Sequence, residues 1–291
     1  MLDTLLAAGQ KVPWSCRAGH CQTCLVQTLE GSAPPQANAA LSPEQRHSGW
    51  LLTCQCQITQ DMRLKLHDPA RDGLGARVID LHFASEHILV LRLRPDRPLR
   101  FQPGQHVVIW LNSEIGRPYS IASQASEAEL TFHLRIHPGG TFSDAIQTLE
   151  PGSTLYLGAP SGHFHYDPDW QDSPLLLLAA GTGLAPLQAI ARHALASGHQ
   201  APIELRHWYD GCYLQKELHD LAAEHPQLTL QLRPRTELPA DLTQLRLASR
   251  STLALVCGPP KFVEGLRKPL FMAGLPGRQI IDEAFLSRQA G

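Results

Sequence analysis

"SCRAGHCQTC" (residues 15–24) and, further on, "GWLLTCQCQI" (49–58) decide how the rest of the chain is read. Together they place Cys16, Cys21, Cys24 and Cys54 in a C-x4-C-x2-C triplet with a distant fourth cysteine. That is the plant-type spacing in which four thiolates hold the two irons of a [2Fe–2S] cluster. A zinc site usually uses two C-x2-C knuckles or added histidines, and only one such pair is present. A disulfide framework belongs to small secreted domains rather than to a chain of 291 residues. The first interval holds Arg17, Ala18, Gly19 and His20, with small residues where the backbone must wrap a cluster and offer N–H groups to its sulfurs. Cys56, two residues past Cys54, reads as a spare thiol that competes for the fourth ligand position.

Composition sets the outer bounds. The length suits two or three domains, and a 43% hydrophobic fraction is ample for buried cores. A formal charge of −2 excludes the basic footprint expected of a nucleic-acid binder. There is neither an apolar run of membrane-spanning length nor a basic-then-apolar leader, so membrane insertion is not expected. A soluble cytoplasmic protein is expected, since the cluster thiols need reducing surroundings. The 15 histidines are scattered without metal-ligand clustering.

"HDPARDGLGARV" (67–78) reads as a linker. Strands are predicted over 76–83, 87–94, 106–111, 129–136 and 154–157, with alternation at Leu89–Leu91–Leu93 and Leu130–Phe132–Leu134–Ile136. One helix, 141–149, interrupts them, with Thr141 or Ser143 as its cap, and the short strands suggest an antiparallel barrel. The pattern then changes. "PLLLLAA" (174–180) is a continuous apolar strand, followed by a helix to about 197, strand 203–208, helix 214–223, strands 228–232 and 252–256, and helix 259–272. Alternating β and α segments mean a parallel sheet covered on both faces.

Four motifs carry chemistry. "RPYSIAS" (117–123) offers Arg117 as a cation for a pyrophosphate, Tyr119 as a flat partner and Ser120 as a small hydrogen-bonding group. By itself it is moderately specific, and a strand end with an exposed Arg and a core Tyr would also carry it. Downstream, "HLRIHPGGTFS" (133–143) puts Gly139 and Gly140 before a helix, which suits phosphate binding or simply a capped hairpin turn. "AAGTGLAP" (179–186) follows the apolar strand and opens a helix, where α/β sheets bind dinucleotide phosphates, although Ala185 and Pro186 depart from a full G-x-G-x-x-G. "VCGPP" (256–260) repeats the strand-to-helix context and puts Cys257 at a strand's carboxyl end; a lone Cys there is more often a small buried hydrophobe.

Taken together the motifs resemble the ferredoxin–NADP⁺ reductase superfamily, in particular the iron–sulfur flavoprotein reductases of aromatic-ring oxygenases of the benzoate and naphthalene dioxygenase type. The resemblance covers residues 2–286 and implies a multidomain fold. Its parts are a β-grasp ferredoxin (1–68), an antiparallel β-barrel flavin domain (74–172) and an α/β parallel-sheet nicotinamide domain (173–291). It implies FAD on Arg117, Pro118, Tyr119, Ser120 and Gly140, Thr141, Phe142, Ser143, with Arg135 and Ile136 near the nucleotide. NAD(P)H would lie on Gly181, Thr182, Gly183 and on Cys257, Gly258, Pro259, and "GAPSGHF" (158–164) is similar to the turn between the last two domains. "DEAF" (282–285) is similar to the family's carboxyl end, which sets Glu283 and Phe285 near the flavin; plain packing and surface roles would suit them too. Ser120, Cys257 and Glu283 are the implied catalytic residues: one near the flavin's reactive edge, one placing the nicotinamide, one relaying a proton.

The implied function is electron transfer from NAD(P)H through FAD and [2Fe–2S] to an external acceptor protein such as an oxygenase component. Two alternatives stand beside it: a reductase of free flavin, quinone or dye with a vestigial ferredoxin domain, and a non-catalytic iron–sulfur redox sensor. NADH is expected over NADPH, because Asp210 in "RHWYDGCYLQKEL" (206–218) suits a ribose diol and repels a phosphate, with Arg206 and Lys216 as the contrary signals. One departure concerns the start. Ferredoxins of this type begin with a β-hairpin before the helix, whereas this chain begins at the helix, "MLDTLLAAGQKVPWSC". A misassigned or truncated start is the expected reason, and with Met1 as the true start the cluster loop is expected to be less stable.

Overall fold

A computed structural model describes residues 1–286; the last five residues of the expected nicotinamide domain lie outside the described part. The first segment is a short helix α1 (Leu2–Ala7), strand β1 (Leu25–Glu30), helix α2 (Pro43–His47) and strands β2 (Trp50–Leu52) and β3 (Arg63–Leu66). β1 lies between β2 and β3 and runs antiparallel to both. The start of α2 is closed by a reciprocal box, in which Ser42 accepts from the Gln45 backbone and the Gln45 side chain accepts from Ser42 N–H. Leu2, Val12, Cys24, Leu41 and Leu52 pack under the cysteine loop.

The stretch read as a linker is more ordered than its Pro–Gly composition suggests. Pro69–Asp72 forms one helical turn, α3, capped by the Asp68 side chain, and strand β4 (Leu74–Ser85) starts two residues later. There follow β5 (Ile88–Pro95), β6 (His106–Trp110), β7 (Gly116–Ser120), β8 (Leu130–Arg135), helix α4 (Thr141–Ile146) and β9 (Thr154–Leu157). They form an antiparallel sheet in the order β7-β6-β9-β4-β5-β8. Ala122 N–H donates to Thr131 O at 2.8 Å just beyond β7, bringing the two edges together. The alternation sends Leu89, Leu91, Leu93, Leu130, Phe132 and Leu134 into one core, which α4 seals with Phe142 and Ile146.

The last segment is β10 (Leu175–Ala180), α5 (Leu184–Ala196), β11 (Ile203–Tyr209), α6 (Gln215–Glu224), β12 (Leu228–Pro234), α7 (Leu238–Thr243), β13 (Leu253–Gly258), α8 (Pro260–Met272) and β14 (Ile280–Ala284). All five strands are parallel, in the order β12-β11-β10-β13-β14. β10 is buried on both faces, so it reads as unbroken apolar sequence. Leu175, Leu177 and Ala179 meet α5 and α6 on one side, while Leu176, Leu178 and Ala180 meet α7 and α8 on the other. Strands β7 and β14 and helix α7 were not expected from sequence. Among the described residues no helix is long and apolar enough to cross a membrane.

Aromatic and imidazole rings join the segments. His67 packs on Trp110 at 4.8 Å and on Trp50 at 5.6 Å between the first segment and the barrel. Between barrel and parallel sheet, Tyr213 meets His133 edge-on at 5.3 Å and His207 at 5.8 Å, and the Tyr213 hydroxyl hydrogen-bonds His133 Nδ1 at 3.2 Å. Burial lowers His133 to about 3 and His207 to about 4. Both rings are therefore neutral in the folded protein, while an unfolded histidine takes up a proton near about 6.5. The unfolded chain thus binds more protons below that pH, and stability falls as the pH drops from about 6.5 towards the folded values. Calorimetric melts should show the melting temperature falling between pH 7 and pH 5, with a flatter slope for His133→Asn; a profile level across this range would contradict the assignment.

Candidate functional site

The cysteine loop turns on three left-handed residues, Arg17, Gly19 and Gln22, with φ of 54°, 83° and 55°. Such a path points successive N–H groups inward. Ala18 N–H lies 3.3 Å from Cys16 Sγ, and Cys16 N–H lies 3.5 Å from Cys21 Sγ. The thiols fall into two hydrogen-bonded pairs, Cys16 with Cys21 and Cys24 with Cys54, near enough for Cys16 to act on Cys54 by charge. Within each pair the accepting sulfur ionises readily: the bond from Cys21 brings Cys16 to about 4, and that from Cys24 brings Cys54 to about 6. Cys21 and Cys24 are raised, first by donating those bonds and then by burial.

Among the described residues no three His, Cys, Asp or Glu side chains gather round a single metal position. Two thiol pairs side by side suit a two-iron cluster instead, and the four cysteines fit one. Cys56 points elsewhere. It is buried with Val26, Ala37 and Leu51, and its thiol donates weakly to Gln57 O.

On the barrel, the Arg-x-Tyr-Ser motif is itself strand β7, paired with β6 so that His106 stands opposite Ser120 and Val107 opposite Tyr119. Arg117 Nη1 donates to Gly116 O at 2.8 Å, and Pro118 sits opposite Val108. Tyr119 packs on Phe142 with ring centres 5.3 Å apart, and burial raises its hydroxyl. Helix α4 begins after Gly140, with no side-chain cap. Ser143 is instead committed inward, its Oγ accepting from His137 N–H at 3.1 Å. Asp144 N–H makes the first bond of that helix, so the amides of Thr141, Phe142 and Ser143 precede it. Ile136 packs on the barrel core, and Arg135 reaches out to Asp210 at 3.5 Å.

On the parallel sheet, β10 and β13 are neighbours although two strands separate them in sequence, so the strand order reverses between them. Such a reversal opens a crevice at the carboxyl ends, where α/β sheets bind nucleotides. Gly181–Gly183 and Cys257–Pro259 form its two lips. They touch so closely that a Cβ on Gly183 would stand 2.1 Å from Cys257 O, which only glycine permits. Gly181 has φ of 54° and its carbonyl is bonded by His207 Nε2 at 3.0 Å. Cys257 is fully buried, and burial with the neighbouring Glu283 pushes its thiol up.

Glu283 stands beside Cys257 in the β13–β14 register, and Phe285 N–H donates to Gly258 O at 2.9 Å. Glu283 Oε1 lies 3.3 Å from His106 Nδ1, while the buried Oε2 has no hydrogen-bond partner among the described residues. The structure therefore brings Ser120, Glu283 and Cys257 into one connected group through His106, with the cysteine loop alongside. An orphaned buried carboxylate oxygen, a serine on the same strand pair and the α4 amides suit a flavin with a nicotinamide beside it, and the residues fit both. Sequence reasoning missed His106, His207 and Tyr213, for which no motif signals. It also missed Gln55, whose Nε2 donates to Arg17 O at 3.1 Å and lies 3.5 Å from Cys54 Sγ. Thr23, with its hydroxyl 3.3 Å from Cys21 Sγ, was missed as well. For these two, adjacency to a ligand cysteine was the available signal.

Residues 1–59 match the family described as a 2Fe-2S iron-sulfur cluster binding domain, and residues 77–166 match the oxidoreductase FAD-binding domain. The chain is 30% identical to the ferredoxin–NAD(P)⁺ reductase component of the naphthalene 1,2-dioxygenase system of Pseudomonas putida, with 98% of this chain and 93% of that protein covered. It is 32% identical to the aromatic O-demethylase reductase subunit of an Amycolatopsis species, with the same coverage. Among solved structures, an Amycolatopsis cytochrome P450 reductase superposes with a TM-score of 0.70 at 29% identity, over 98% of this chain and 93% of that one.

The geometry separates the two cysteines of "TCQC". Cys54→Ser should cut iron from about two per chain and remove the visible iron–sulfur bands. Cys56→Ser should keep both, as iron analysis and the absorption spectrum will show; the reverse pattern would move the fourth ligand to Cys56.

Proposed function

The chain belongs to the iron–sulfur flavoprotein reductases of the ferredoxin–NADP⁺ reductase superfamily, and on that premise we propose how its residues divide the work. It is an NAD(P)H-dependent oxidoreductase whose electron path runs through FAD and a [2Fe–2S] cluster to an external acceptor, an oxygenase component in the systems of its relatives. When bound, the flavin supplies the change from the nicotinamide's electron pair to the single electrons a cluster takes.

Cys16, Cys21, Cys24 and Cys54 would hold the cluster. Arg117, Pro118, Tyr119 and Ser120 with the Gly140–Ser143 turn would hold FAD, with Arg135 and Ile136 at its nucleotide end. Gly181, Thr182 and Gly183 would take the phosphates of the nicotinamide nucleotide, Cys257, Gly258 and Pro259 its ring, and Phe285 would close the flavin face. In this reading Ser120 offers a hydroxyl at the reactive edge, Cys257 excludes water and sets the ring's depth, and Glu283 relays a proton through the carboxyl oxygen that lacks a partner. Residues 1–68, 74–172 and 173–291 serve as the three working units. The cytoplasm is its proposed location, because all seven cysteines are free and four must stay reduced to bind iron.

The observation that carries this reading is the meeting of Ser120, Cys257, Glu283 and the cysteine loop at one point, since transfer between such centres depends on fixed, close placement. Cys21→Ser separates the steps. Ferricyanide reduction by NADH should persist, while cytochrome c reduction falls by at least about ten-fold. Equal persistence of both rates would make the protein a free-acceptor reductase, and no turnover in the wild type would make it a sensor.

NADH is the proposed donor, on the strength of Asp210. Its carboxylate is shared by Arg135 at 3.5 Å and Arg235 at 3.4 Å, so part of its repulsion of a 2′-phosphate is offset. Arg206, one of the contrary signals, is committed to Glu204 at 2.9 Å, and Lys216 to Asp220. Asp210→Ser should narrow the NADH-over-NADPH ratio of kcat/KM by about five-fold, a modest step for a half-exposed charge; an unchanged ratio would remove Asp210 from cofactor selection.

A further inference from the structure

We infer that His106 is the positioning residue that seats the cluster-binding loop against the flavin and nicotinamide units, by donating a hydrogen bond from Nε2 to the His20 carbonyl while Nδ1 faces Glu283. The inference rests on the reductase reading above and extends it to a residue outside every motif that led there.

The ring is almost wholly buried, and its backbone is pinned on both sides. His106 N–H donates to Ser161 O at 3.0 Å and Ser161 N–H returns to His106 O at 2.9 Å, while the other edge of the strand pairs with Ser120. From that fixed base the imidazole reaches three places. Nε2 lies 3.2 Å from His20 O, in the loop between Cys16 and Cys21, and 3.0 Å from Ser161 Oγ. Nδ1 lies 3.3 Å from Glu283 Oε1 on the last strand of the parallel sheet.

A carbonyl oxygen only accepts, so the contact with His20 O needs the hydrogen on Nε2; with it on Nδ1, Nε2 would accept from Ser161 Oγ and the loop carbonyl would go unheld. Nδ1 has no hydrogen-bond partner among the described residues although Glu283 Oε1 lies 3.3 Å away, which favours the hydrogen on Nε2, where the loop carbonyl takes it. Two other polar ties link these parts among the described residues: Lys11 with Glu114, which is exposed, and Ser15 Oγ with Leu286 O at 3.3 Å, which is partly buried. The exposed ion pair holds little, whereas the His106 donor is itself buried.

The test compares His106→Leu, which removes the donor, with His106→Gln, whose amide N–H can still reach a carbonyl. Hydrogen–deuterium exchange of the full-length protein reads the loop amides of residues 15–24 directly. The ratio of cytochrome c to ferricyanide reduction reads the consequence. In His106→Leu the loop amides should exchange about ten-fold faster, the effect of one lost hydrogen bond, and the rate ratio should fall by about the same factor. His106→Gln should restore both to within about three-fold of wild type. Wild-type exchange in His106→Leu would overturn the proposal, as would a Gln variant no better than Leu. Failure of the wild type to oxidise NADH would instead sink the reductase reading and leave the exchange comparison to decide the docking alone.

Discussion

Parallel register at the crest of the five-stranded sheet is the constraint on which the site depends. Because β13 lies against β10 on one side and β14 on the other, Cys257 is level with both Ala179 and Glu283. A slip of one residue would send Glu283 to the opposite face and Cys257 out of the crevice. The register is held by the contact of Gly183 with Cys257 O, where no side chain fits, and by apolar packing on both faces of β10. Main-chain geometry thus precedes the chemistry of any one side chain.

The cysteine loop obeys a different constraint. Three sulfurs of one short loop turn towards each other and towards Cys54, and the backbone does so through left-handed conformations at Arg17 and Gln22 as well as at Gly19. Non-glycine residues in that region cost free energy that the surroundings must offset. Gln55 and the Arg17–Asp3 ion pair clamp the first of these turns, and the Gln45–Gln22 hydrogen bond clamps the second. The loop is therefore held from the helices and the fourth cysteine's own neighbour, rather than by strands of the small sheet alone.

Most of the fold was legible because period and punctuation agreed. Leu89–Leu91–Leu93 and "PLLLLAA" announced two kinds of strand, one half-buried and one buried on both faces. Where reading failed, a local rule was overridden by tertiary pairing. β7 holds a proline and a glycine in five residues, yet it lies at the edge of the sheet order, where a missing N–H is tolerated. β14 carries Asp282 and Glu283 and looks like a polar tail; it is a strand because β13 offers it a free edge. "HDPARDG" looked like a linker, but the Asp68 cap turns it into a helical step. Motifs pointed to the four cysteines that the structure pairs and to the two lips of the crevice, while the histidines that join the segments had no pattern to betray them. Their role comes from the three-dimensional neighbours they happen to acquire.

Those histidines mark where the three segments touch. His67 lies between Trp50 and Trp110, His133 and His207 flank Tyr213, and His106 stands between the cysteine loop and Glu283. An imidazole suits such junctions because it buries a flat apolar face while keeping one donor and one acceptor at fixed angles. His133 and His207 are neutral by burial, which makes the Tyr213 junction a hydrophobic contact with direction. At His106 the ring instead faces polar groups on both sides, His20 O at 3.2 Å and Glu283 Oε1 at 3.3 Å. That junction is also where the carboxylate of the last strand meets the loop that carries the cysteines.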